Sequence, residues 1–137
     1  MAGFAKLRRY GVGDRLNVQA QRIWLILASF VSSPTRRPKD ARTITYCELA
    51  IRMGYANGRA GHTLARKLGI VGYCCLANGL PALNSIVVNA VTGAPGHDVV
   101  LGEGRTVAQE QRAVFHQDWH QVGVPTTGML RAVWESM

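Results

Sequence analysis

The chain has 137 residues, of which 47% are apolar. That is length for one domain with a real core, not comfortably for two, and it excludes a disordered chain. The formal net charge is +8, which points toward an anionic partner. The longest apolar run, Ile23 to Val31, is far short of the roughly 20 residues a membrane span needs, so no membrane partner is expected. Three cysteines, two of them adjacent, make no disulfide framework.

The charge is unevenly spread. Residues 1–67 hold thirteen of the sixteen Lys and Arg and three of the eight acids, a formal +10; residues 68–137 hold three cations and five acids, a formal −2. A basic face in the first half attracts a polyanion and speeds encounter with it. Solubility alone is the plain alternative.

In chain order, residues 1–16 read as a basic arm. Lys6, Arg8 and Arg9 are followed by Gly11, Gly13, Asp14 and Arg15, not by the apolar stretch of an export signal, so a cytoplasmic protein is expected. The remainder, 17–137, reads as one domain. The spacing of Val18, Ile23, Leu27 and Val31 predicts a central helix over 18–31, with Asn17 as N-cap. Ser32 to Arg42 is a loop interrupted by Pro34 and Pro38 and carrying Arg36, Arg37, Lys39 and Arg42. A short β-prone stretch, Thr43 to Thr45, leads into a helix from Tyr46 to Met53. Thr45 and Glu48 stand at capping-box spacing, and Gly54 stops the helix.

After the Gly-Tyr-Ala-Asn-Gly corner, a second helix is expected over Arg59 to Leu68. Leu64 and Leu68 face inward, Arg59, His62, Arg66 and Lys67 mostly away, and Gly69 ends it. Cys74 to Ala77 reads as a short turn of helix or a loop, closed by Asn78-Gly79. Ser85 to Ala90 reads as a strand, with a second short strand at Asp98 to Leu101 making a hairpin wing. Val107 to Gln121 and Thr127 to Met137 read as helices. The expected fold is mostly α with a small β-hairpin, a winged helix-turn-helix-like single domain. In such a motif the second helix can enter a DNA groove while flanking segments rest on phosphates.

The runs RIWLILASFV, TITYCELAIRMGY, GRAGHTLARKL and ANGLPALNSIVVN together resemble the C-terminal DNA-binding domain of O6-alkylguanine-DNA alkyltransferases, and the alkyltransferase-like proteins that share it. The family's Trp-Xaa-Xaa-Leu is matched by Trp24 to Leu27, and its Thr-Tyr-Gly-Glu-Leu-Ala by Thr45 to Ala50. Arg59-Ala60, Asn78, Pro81 and Val87-Val88-Asn89 follow in the family's order. The resemblance implies that Tyr46 helps turn a nucleotide out of the stack and that Arg59 fills the gap. A packing role for Tyr46 and a phosphate contact for Arg59 are the alternatives.

The family's acceptor Cys, and the His and Arg after it, are absent here: Pro81 is followed by Ala82, Leu83, Asn84 and Ser85. A non-enzymatic duplex-DNA-binding protein is therefore expected, without cofactor or metal. It would use Tyr46, the Arg59, His62, Arg66 and Lys67 helix and the loop cations Arg36, Arg37, Lys39 and Arg42. The alternative is a small phage or mobile-element protein that binds and inhibits a host nucleoprotein complex.

Three smaller signals are weighed against packing. Cys74-Cys75 reads as buried and inert rather than nucleophilic. His116 and His120 have the i, i+4 spacing of zinc ligands, but no third ligand is evident, so a solvated helix face is expected. Trp24, Trp119 and Trp134 read as core anchors.

Overall fold

A computed structural model describes residues 14–33, 43–56, 61 and 63–137. Within them the protein is mostly helical, with one two-stranded sheet of two residues per strand. None of the described helices is long and apolar enough to cross a membrane.

Helix α1 spans Asp14–Val31. Ala20, Ile23, Leu27 and Phe30 recur at spacings of three and four and are buried, which makes one face of an α-helix. The helix starts three residues before the expected N-cap and so takes in the end of the expected arm. Asn17 lies inside it, buried, with Oδ1 unpartnered among the described residues.

Strand β1, Ile44–Thr45, runs directly into α2, Tyr46–Arg52. The capping box forms as expected: the Glu48 N–H donates to Thr45 Oγ1 at 3.0 Å, and the Thr45 N–H to Glu48 Oε1 at 3.4 Å. Leu49 and Met53 point inward. Gly54 takes φ +96°, and Arg22 donates to the Met53 carbonyl at 3.0 Å, satisfying an orphan carbonyl at the helix end.

The second helix departs from expectation. α3 spans Ala65–Ala77 and runs through Gly69, so the Cys74 to Ala77 stretch is its last turn. Glycine inside a helix costs about 1 kcal/mol relative to alanine, but here it permits burial. A Cβ on Gly72 would lie 2.5 Å from Asn84 Oδ1 and 2.6 Å from Val100 Cγ2. Leu68, Ile70, Val71, Cys74 and Cys75 are buried around the helix, which packs against α1, α5 and the 3₁₀ turn Leu83–Ile86. Asn78-Gly79 closes it as expected, with Leu80 N–H on the Cys75 carbonyl at 2.9 Å and Gly79 at φ +71°.

The sheet is small, as expected, but its pairing differs. The expected strand over 85–90 is a 3₁₀ turn followed by β2, Val87–Val88. β2 pairs in parallel with β1, Ile44 opposite Val87 and Thr45 opposite Val88. Residues 98–101 form no strand, so the hairpin wing is absent. The physical reason is burial: Ile86, Val87 and Val88 are enclosed, and buried Ile44 supplies the partner. Residue 98 is held instead by a side chain, Asn84 Nδ2 donating to the Asp98 carbonyl at 2.8 Å.

Helix α4, Val107–His116, opens on a second capping box, Thr106 with Gln109. It stops five residues before the expected end. Gln117 is extended, Asp118 accepts from the His120 N–H at 3.1 Å, and Trp119–Gln121 forms a 3₁₀ turn. The break returns Trp119 to the core, where its indole donates to the Val114 carbonyl at 2.9 Å and meets Trp24 edge-on at 5.7 Å. His116 and His120 therefore do not share one helix face, and the described residues hold no metal-ligating cluster. α5, Thr127–Ser136, packs on α1 and α3. Its Trp134 is 38% exposed and does not anchor the core.

Glu110 on α4 is fully buried. It accepts from the Ala82 N–H at 3.1 Å, from the Gly102 N–H, and from Arg105 at 2.8 Å. It thus ties the segment after Pro81 and the 102–105 turn to one helix. Glu110→Ala leaves two backbone donors unpaired, so it should lower stability by about 3 kcal/mol in urea unfolding. Arg105→Ala removes a side chain that is itself 44% exposed and leaves Glu110 its two backbone donors, so it should cost about 1 kcal/mol or less. Equal losses would contradict this division.

Candidate nucleic-acid interface

Tyr46 opens α2, half-buried. Its hydroxyl donates to Asp98 Oδ1 and accepts from the Gly96 N–H at 2.9 Å. Two glycines leave it room. A Cβ on Gly96 would sit 2.7 Å from the Tyr46 hydroxyl, and one on Gly61 would sit 2.8 Å from the Tyr46 carbonyl oxygen.

Around this pair lies a cleft of about 500 Å³, walled by Thr45, Tyr46 and Cys47 of the β1–α2 junction, by Gly61 and Ala65 at the start of α3, and by residues 89–91 and 96–98. Most of the wall is apolar, with a few convergent polar groups, the usual make-up of a ligand-binding concavity. Asp98 Oδ2 is buried there without a partner among the described residues.

The two hydrogen-bonded groups are electrostatically perturbed in the same direction. Burial raises the Tyr46 hydroxyl well above its ordinary value; its hydrogen bond to Asp98 and the nearby carboxylate raise it further, against the Gly96 N–H. Burial also raises the Asp98 carboxyl, opposed by the hydrogen bonds from Tyr46 and Asn84 and by the charge of His97.

Of the expected DNA-facing residues, the structure brings Tyr46 to the cleft and sets Arg66 and Lys67 in the first turn of α3, directly after Ala65 of the cleft wall. Arg66 is exposed and Lys67 partly so. Arg36, Arg37, Lys39, Arg42, Arg59 and His62 lie outside the described residues. On α3 only the first turn offers a cationic surface, because Arg66 and Lys67 are the helix's two cations.

Three participants were not legible beforehand. Asp98 and Gly96 lie in the expected second strand or its turn, and only their spacing from Tyr46 in three dimensions identifies them. Cys47 is exposed and lines the cleft, whereas Cys74 and Cys75 are buried. Burial pushes both buried thiols up, Cys75 to about 12, so neither is a thiolate nucleophile near neutrality. Ala82, at the position after Pro81, is fully buried with its N–H on Glu110.

No family model, curated protein or solved structure matches this chain.

The Tyr46 titration is directly measurable. With Tyr10, Tyr55 and Tyr73 replaced by Phe, the phenolate absorbance of Tyr46 should rise only well above the ordinary tyrosine value of about 10. Asp98→Asn should bring the midpoint down part of the way, because burial is the larger cause and remains. The corresponding stability is present below about pH 10 and lost as pH rises through the raised value. An ordinary midpoint in the parent would show that the hydroxyl is not held as described.

Proposed function

We propose that this protein binds duplex DNA without catalysing a reaction on it, seating the backbone on the first turn of α3 and facing the Tyr46 cleft toward the bases. The observation that carries the reading is the adjacency of that cleft to Arg66 and Lys67, in the half of the chain that bears a formal +10. Cations at the exposed start of a helix suit phosphate and base-edge contacts, as in helix-turn-helix docking. The Thr45 to Ala50 match to the alkyltransferase motif supports the same use of this surface, since that run forms the capped helix at the cleft's edge. The absence of catalysis is supported by the two high-pKa buried cysteines and by buried Ala82 where the family has its acceptor.

Electrostatics dominates such binding, so affinity for a duplex should fall linearly on a log–log plot against salt. Arg66→Ala/Lys67→Ala should weaken retardation of a duplex of any sequence in a low-salt gel and reduce the salt slope by about 2. No retardation of the parent at low salt, or identical slopes for parent and variant, would overturn the reading.

A further inference from the structure

Val91 is 93% exposed, at the tip of the Asn89–Ala94 turn on the rim of the Tyr46 cleft. Loop tips ordinarily carry polar residues, and a single exposed apolar side chain is unexceptional by itself. The mounting of this one is not that of a slack loop. Asn89 donates its N–H to the Ala94 carbonyl at 2.9 Å and accepts from the Gly93 N–H at 2.8 Å through its own carbonyl. Its side-chain Oδ1 accepts from the Val91 N–H at 2.8 Å and the Thr92 N–H at 3.3 Å. Thr92 Oγ1 accepts from the Ala94 N–H at 3.2 Å, and Gly93 takes φ +70°. Five hydrogen bonds within six residues fix the backbone that presents Val91. The turn also continues directly from β2, which is anchored in the core.

A prepositioned apolar side chain on the rim of a cleft also lined by Ala65, just before Arg66 and Lys67, fits one kind of occupant well. Backbone phosphates are drawn to Arg66 and Lys67, and the neighbouring base stack then lies next to an apolar tip that has lost little freedom in being ordered. Proteins that bend or open duplexes use such side chains as wedges between base steps.

We propose that Val91 is an apolar wedge that enters a base step and partly unstacks it when a duplex seats on the Tyr46 cleft. This rests on the DNA-binding reading above and adds to it a means of distorting the duplex. The turn supplies rigidity and the side chain supplies the apolar volume, so replacing a methyl with a hydroxyl should abolish the wedge without disturbing the fold.

The test uses the full chain, a duplex carrying 2-aminopurine at successive positions, and the near-isosteric variant Val91→Thr. The parent should raise 2-aminopurine fluorescence at one step. Val91→Thr should melt at the parent temperature, keep the parent salt slope, bind about tenfold more weakly and lose the fluorescence rise. Binding by the parent with no rise at any step, or an equal rise and equal affinity in Val91→Thr, would overturn the wedge and leave duplex binding standing. Failure of the parent to bind the duplex at low salt would overturn both.

Discussion

The hydrogen bond from the Tyr46 hydroxyl to Asp98 is the point on which the candidate site depends. The sheet beneath it has only two residue pairs, too few to fix a surface by backbone pairing alone. Side chains make the connection. Tyr46 holds Asp98; the Asp98 carbonyl is held by Asn84; Asn84 packs where Gly72 of α3 has no side chain. The start of α2, the 96–98 turn, the 3₁₀ turn and the middle of α3 are therefore positioned by one polar chain running from the cleft into the core.

That chain carries an energetic burden. Asn84 Oδ1, Ser85 Oγ and Asp98 Oδ2 are buried without partners among the described residues, and an unsatisfied buried polar atom costs about 1–3 kcal/mol. An apolar replacement of similar shape would serve packing as well or better.

The elements legible in the sequence were those with local causes. The α2 capping box needs only Thr45 and Glu48 three residues apart; the α1 stripe needs only the spacing of Ile23 and Leu27; the Asn78-Gly79 stop is a matter of backbone freedom. Where a distant partner decides the outcome, local reading failed. Gly69 looks like a helix end until the burial of α3 on α1 and α5 is seen, with Leu68, Ile70 and Val71 on either side of it enclosed in the core. The run at 85–90 has strand character, but its partner, Ile44, lies on the other side of the corner and α3, so a neighbouring hairpin was the wrong pairing. Gln117 and Asp118 interrupt α4 because Trp119 has to reach Trp24. Around the cleft, Tyr46, Arg66 and Lys67 are singled out by motif and charge, whereas Asp98, Gly96 and Cys47 come to the cleft wall only through the fold.

The central claim is that the Tyr46 cleft and the adjoining turn of α3 form a surface covered by duplex DNA. Cys47 reports on that surface directly, being the one exposed thiol of three and part of the cleft wall. The decisive measurement is the rate of alkylation of native protein by iodoacetamide, resolved by residue, with and without saturating duplex at low salt. The account predicts that Cys47 alone is modified in the free protein, that duplex slows its modification at least several-fold, and that added salt restores the free rate. Modification of Cys47 at an unchanged rate while duplex is demonstrably bound would place the DNA elsewhere and contradict the account.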